Sequence, residues 1–243
     1  MSQSSLEHLE LTMAEQWGQI LKSPLAQGIK KILVSGDKKL YALWLVQVAH
    51  LTKHTSAHQA LVGTRFKEVS HTYMKFCYEH ALEEVGHEMM AVHDLKKIGA
   101  RINGIADLPE PLGATEQLTA YLYYVSEHAH PATRLGFSYW AEKCYPFVQT
   151  FAADTQKSLG LSDSQMSFFV SHSRIDEKHA ADVERTISLV CKTPKDWQAV
   201  EEGMRTSLDL ATKIFSQIFT LTEDLNNRPD YLEFLNSIEG ARD

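Results

Sequence analysis

Residues 78–98 read YEHALEEVGHEMMAVHDLKKI and residues 165–190 read QMSFFVSHSRIDEKHAADVERTISLV. Each holds a histidine, a carboxylate four residues on, and a second histidine three residues after that: His80, Glu84 and His87 in the first, His172, Asp176 and His179 in the second. At about 100° per residue on a helix the three positions of each set fall within an arc of about 60°. The same stripe is apolar above and below. Tyr73 and Phe76 precede His80, and Ala91, Leu95 and Ile98 follow His87. Phe168 and Phe169 precede His172, and Val183, Ile187 and Val190 follow His179. Both polar triplets thus interrupt faces patterned for a core. Buried imidazoles and carboxylates are costly unless paired or bound to metal, so two such helices are expected to face each other.

Working outward, apolar residues recur at helical spacing along the whole chain, with no sustained period-two alternation, which predicts an all-α protein. The 12 glycines and 7 prolines are sparse and fall at intervals. Helices are expected over 6–22, 24–34, 38–60, 64–98, 114–129, 132–159, 163–191 and 196–222, with a short piece at 229–238. Ser162 with Gln165, and Thr193 with Pro194 and Asp196, read as helix starts. Gly99 and Gly160 read as stops. The stretch 100–113, with Gly104, Pro109, Pro111 and Gly113, is the longest connection but no domain boundary, so one helical domain over 1–243 is expected.

Composition narrows the function. The 243 residues are 44% hydrophobic and 23% charged, enough for a full core. A net charge of -7, with 31 acidic against 24 basic residues and no basic stripe, argues against nucleic-acid binding. The cysteines Cys77, Cys144 and Cys191 are odd in number and widely spaced, against a disulfide framework or zinc ribbon. No run is apolar enough for a membrane span and the N-terminus lacks signal-peptide regions, so a cytoplasmic protein is expected. The 12 histidines stand out.

Helical bundles hold dinuclear metal centres with inward-facing carboxylates and histidines three residues apart. Glutamate, aspartate and histidine without thiolate suit non-haem iron or manganese. A further carboxylate is needed, and Glu142 is the only acid in the apolar, aromatic run from Leu135. Glu127, beside His128, reads as exposed. With Glu84, Asp176 and Glu142 ionised, two divalent ions leave a net charge near +1. Glu68 and His71 repeat the short spacing but lie about 160° away from Glu84 on a continuous helix, a solvated pair.

The stretches His80-Ala-Leu-Glu83-Glu84-Val-Gly86-His87, Asp94-Leu95, Ile98-Gly99, Pro111-Leu-Gly-Ala-Thr115-Glu116, His130-Pro131, Leu135-Gly136 with Glu142, and His172 to Asp176 to His179 occur in that order. On them the chain resembles the heme-oxygenase-like helical proteins, which include the TenA/THI-4 thiaminases and the PqqC cofactor-synthesis oxidase, and within them the iron-containing redox branch of di-iron oxidases and oxygenases. The resemblance implies one bundle of about seven to eight helices around one active site, a labile pair of Fe(II) ions (manganese as the alternative metal), and O2 as cosubstrate. It implies a small organic substrate: members act on fatty acids, amino acids and nitrogen-containing metabolites. Carried over by position, Glu84, His87, Glu142, His172, Asp176 and His179 would be metal ligands. His80 and Glu83 would be ligands or their hydrogen-bonding support, and His50, Tyr139 and Cys144 would border the substrate.

Other readings stay open. A TenA-like hydrolase would use Cys144 as nucleophile, which leaves both histidine triplets unexplained. A heme oxygenase would need a proximal histidine in the first helix, where His8 is a loose candidate, and no GxxxG occurs in a suitable helix. A non-catalytic small-molecule or metal-binding helical protein is the third. His50, His54 and His58 read as a solvated stripe or core histidines, with His50 placed to line a cavity. The C-terminal helix reads as core or as a homodimer interface.

Overall fold

A computed structural model describes residues 2–239, apart from the side chains of 2–4, 32–34, 171–177 and 239. The helices are α1 (Ser2–Lys22), α2 (Pro24–Val34), α3 (Lys39–Thr52), α4 (Thr55–Thr64), α5 (His71–Glu83), α6 (Glu88–Lys97), α7 (Gly113–Glu127), α8 (Thr133–Lys143), α9 (Tyr145–Leu159), α10 (Ser167–Val190), α11 (Pro194–Glu223) and α12 (Pro229–Glu239), with short 3-10 turns between some of them. No strand occurs among the described residues. No described helix is long and apolar enough to cross a membrane.

Three helices expected to be continuous are broken, each for a local reason. The segment 132–159 breaks at Cys144, because Pro146 in the first turn of α9 cannot continue the hydrogen bonding of α8. The segment 64–98 breaks twice. Ser70 caps α5 by accepting from the Tyr73 amide at 3.2 Å, and after Glu83 the chain turns through Gly86, whose φ of +91° suits glycine. The segment 38–60 breaks at Lys53–His54, next to Thr52, whose hydroxyl donates to the Val48 carbonyl at 2.8 Å and competes with the helix's own bonds. The Glu68–His71 pair is consequently split, with His71 opening α5 on its exposed side. Glu68 lies in the turn before α5, exposed and bonded to Arg65 at 2.6 Å.

One cluster of buried apolar side chains runs from Leu9 in α1 to Ile238 in α12. α8 sits inside it, with every residue from Thr133 to Trp140 buried, and packs on α7, α10 and α11. Its contact with α11 is backbone on backbone. A Cβ on Gly136 would lie 2.2 Å from the Val200 carbonyl oxygen, and one on Gly203 would lie 2.0 Å from that of Thr133. Trp140 Nε1 donates to Ser207 Oγ at 2.7 Å across the same crossing.

Two further ties position the elements around α8. Buried Asp94 in α6 accepts from the Ser167 amide at 2.9 Å, the Ser167 hydroxyl at 2.6 Å and the Phe168 amide at 2.9 Å, capping the first turn of α10. Gln47 Oε1 in α3 accepts from the Leu112 amide at 2.9 Å and the Thr115 hydroxyl at 2.7 Å. Its Nε2 donates to Tyr231 Oη in α12 at 2.7 Å, which secures the long connection before α7.

Gly203→Ala is expected to destabilise the protein by about 3 kcal/mol or more, because the new methyl meets backbone that cannot move aside. Asp94→Ala is expected to cost about 2 to 3 kcal/mol through the amides left unpaired at α10. Chemical denaturation of both variants measures the two losses.

Candidate metal centre

Glu142 lies near the end of α8, where the apolar run meets the break at Cys144. His80 reaches it from the last turn of α5, its Nε2 3.2 Å from Glu142 Oε1. His179 reaches it from α10, its Nδ1 3.3 Å from Glu142 Oε2. Three helices thus converge on one carboxylate. Glu84 follows directly after α5, and its Oε2 lies 3.1 Å from Nδ1 of His87. His80, Glu84, Glu142 and His179 each bring one donor atom to within 4.8 Å of the others; His80, Glu84 and His179 are buried, and the Glu142 side chain is 10% exposed.

The break at Gly86 serves this arrangement. His80, Glu84 and His87 do not stand on one straight helix as their spacing suggests: α5 stops at Glu83, and His87 immediately precedes α6. The turn nonetheless keeps Glu84 and His87 facing each other. Glu83, half-exposed at the edge, is held by Lys178 Nζ at 2.7 Å and lies 3.3 Å from His179 Nε2. His172 and Asp176 lie outside the described residues.

The electrostatics follow from these contacts. Burial alone would raise the Glu142 carboxyl, but hydrogen bonds from His179 and His80 outweigh it and bring it down to about 2. The bond to Glu142 raises His179 against the lowering by burial. His87 is raised in the same way by Glu84. Lys178 lowers Glu83. The donor set is one of nitrogen and oxygen without thiolate, and His80 Nδ1 is buried with no hydrogen-bond partner among the described residues, so the residues present fit a hard or borderline metal ion. Binding one requires the imidazoles to shed their protons.

A cavity of about 260 Å³ opens from this cluster. His80, Glu84 and Glu142 border it, and so does Cys144, together with Trp17, Trp44, Phe137, Trp140, Phe168 and Phe215. Two residues expected at the substrate are elsewhere. His50 is not on the cavity wall: its Nε2 lies 2.7 Å from the Pro109 carbonyl, and on α3 it projects about 160° round from the cavity-lining Val48. Tyr139, one residue past Ser138 and so about 100° round α8, is fully buried outside the cavity wall, its ring beneath the Lys143 ammonium. Glu127 is exposed, 3.4 Å from His128. His8 is exposed on the surface, 3.1 Å from Glu201, so nothing about it suits a heme ligand.

Sequence reasoning missed two residues here. Arg134 is fully buried, with Nε donating to His58 Nδ1 at 3.2 Å and a second nitrogen donating to Ser138 Oγ at 2.8 Å. Ser138 borders the cavity. The signal was the four-residue interval from Arg134 to Ser138 to Glu142 along α8.

A family profile described as iron-containing redox enzyme matches residues 42–212, so the chain belongs to that family. The chain is similar to a solved domain of unknown function with a heme oxygenase-like fold from Shewanella denitrificans, at 38% identity and a TM-score of 0.82 over 90% of this chain and 95% of that one. It is also similar to TenA homologues. One, from Pseudomonas syringae, gives 11% identity and a TM-score of 0.69 over 89% of this chain and 93% of that one. Another, from P. horikoshii, gives 12% and 0.66 over 89% and 98%. At that identity these two speak for the fold alone. The fold is therefore the heme-oxygenase-like helical bundle. No curated protein matches the chain.

In the metal-free protein the Glu142 contacts contribute stability above the ordinary carboxylate value of about 4.5, and this is lost as pH falls toward 2. The raised His179 and His87 contribute fully below about 6.5, and this is lost as pH rises through their raised values. Glu142→Gln is therefore expected to lower stability by about 3 kcal/mol at pH 5 to 6, with the difference shrinking toward pH 2. Thermal unfolding of chelator-treated wild type and variant across that range measures it.

Proposed function

We propose that the protein is a cytoplasmic non-haem di-iron enzyme that uses O2 to oxidise a small organic metabolite. The observation that carries this reading is the buried junction of His80, Glu142 and His179 with Glu84, bordering an apolar cavity in a member of an iron-containing redox family. Glu142 would be a central ligand, a role supported by its two oxygens facing imidazoles from two different helices. Glu84 with His87, and His179 with His80, would supply the other described donors, and the reading includes His172 and Asp176 as further ligands. A pair of ferrous ions bound there would supply electrons for the reduction of O2, with manganese as the alternative metal.

The chain's own residues do the rest. The apolar wall excludes bulk water from the cluster, which strengthens every charge interaction within it. Lys178 holds Glu83 beside His179, and Glu83 is thereby placed to accept the proton of His179 Nε2 and fix its ring orientation. A TenA-like hydrolysis by Cys144 is the second reading, favoured by the position of that thiol in the cavity wall. Cys77 and Cys191 offer no such alternative, because burial pushes both thiols up to about 12.

Protein loaded anaerobically with Fe(II) is expected to hold about two irons per chain and to consume O2 when exposed to it. Glu142→Ala and His179→Ala are each expected to lose stoichiometric iron, and Cys144→Ser to keep it. Metal analysis of the three variants decides. Two metals retained in both Glu142→Ala and His179→Ala would overturn the assignment.

A further inference from the structure

Both signs of charge lie on one face of α8. Arg134, Ser138 and Glu142 follow one another along it, with about 12 Å of helix axis between the arginine and the glutamate. Arg134 is fully buried. Its hydrogen bonds go to neutral partners: Nε donates to His58 Nδ1 at 3.2 Å, and Nη1 donates to Ser138 Oγ at 2.8 Å. Nη2 is buried with no partner among the described residues. His58 is no cation here, because its Nδ1 accepts, and burial together with the arginine's charge holds its pKa well down.

A guanidinium in the interior needs a counter-charge. Burial lowers Arg134 to about 10, and Tyr73, Cys77, Glu84 and Glu142 act against that lowering. Tyr73 and Cys77 are themselves kept neutral by burial, the thiol pushed up to about 12. Among the described residues, Glu84 and Glu142 therefore remain as the negative charges acting on Arg134. The direction of α10 bears on this balance. His179 faces Glu142, whereas Cys191, just after α10, acts on Tyr73, whose hydroxyl donates to the Pro131 carbonyl just before α8. The two helices run antiparallel, which puts the backbone of 171–177 past the Glu142 end of α8 and Arg134 at the other.

Metal ions and Arg134 thus compete to balance the same two carboxylates. In the empty cluster the arginine is the fixed positive charge opposite Glu84 and Glu142. A divalent ion held by those carboxylates is repelled by it. At the effective dielectric of a protein interior, a unit charge about 12 Å away changes the affinity for a divalent ion by a factor of about ten or more.

We propose that Arg134 is a positioning residue of the centre, the resident counter-charge of Glu84 and Glu142 that holds the empty cluster assembled and weakens its grip on metal. The inference rests on the metal-dependent reading. Arg134 acts through the two carboxylates rather than by contact. His58 completes the device, because a neutral acceptor on Nε leaves the arginine's charge whole, where a carboxylate in its place would cancel it.

Removing the charge in two different ways tests this. Arg134→Met deletes the guanidinium, and His58→Glu leaves it in place with a carboxylate opposite Nε. His58→Gln keeps a neutral acceptor there. Fe(II) affinity, measured anaerobically by competition with a chromophoric chelator, is expected to tighten about tenfold or more in Arg134→Met and His58→Glu and to stay within about twofold of wild type in His58→Gln. The midpoint potential of the iron-loaded protein is expected to fall in the first two alone, since a nearby cation disfavours the more positive, oxidised metal. Damage to the fold weakens binding, so tightening is a readout that a merely structural role would not give. Where Arg134→Met does not fold, His58→Glu carries the test. Affinity unchanged or weakened in either variant as folded protein would overturn the proposal and leave the metal reading intact. Absence of iron binding in wild type and in all three variants would overturn the metal reading, and this proposal with it.

Discussion

Everything around the centre is arranged about one crossing, at which Gly136 of α8 and Gly203 of α11 bring two helix backbones into direct contact. With no side chain between the two, α8 can lie in the interior with residues Thr133 to Trp140 buried. A helix enclosed to that degree turns even its polar residues inward. Arg134, Ser138 and Glu142 are therefore forced to find partners inside the protein, and they do so among the histidines of α4, α5 and α10.

The partners so recruited make the interior an electrostatic device rather than a packed oil drop. Glu142 is held ionised by imidazoles against a burial that would neutralise it. Arg134, also buried, is brought down to about 10 by desolvation and still carries its charge at neutral pH. Both signs of charge thus persist within one helix length of each other, separated by Ser138. The hydrogen bonds that hold them are mutual, so the cluster is preorganised by the same contacts that a metal would have to displace.

Much of this was legible in the sequence, and the misses have physical causes. The first histidine and carboxylate spacing, His179 of the second, and Glu142 as a lone acid in an aromatic run mark residues that the fold brings together. The Thr193 and Asp196 capping box and the left-handed Gly160 fall where they were read. Continuity of the helices was not legible: periodicity survives the turn at Gly86 and the bend at His54, because both keep the apolar face directed at the core. His50 and Tyr139 were misplaced for a related reason. Apolar neighbours show that a residue is buried but not which of several interior surfaces it meets. Arg134 was passed over because a buried guanidinium without a carboxylate has no signature beyond the residues four and eight positions on.

The walls of the centre differ in mechanical character. α8 is clamped at its glycine contact and by the bond from Trp140 to Ser207, so Glu142 has little freedom to translate or rotate. Across from it, Glu83 to His87 form the junction between two helices, with a glycine in a conformation that tolerates backbone adjustment. One side of the cluster is therefore a single clamped helix and the other a junction between two helices. Any adjustment needed to admit a ligand to the cluster is expected to fall on the Glu83–His87 turn rather than on Glu142.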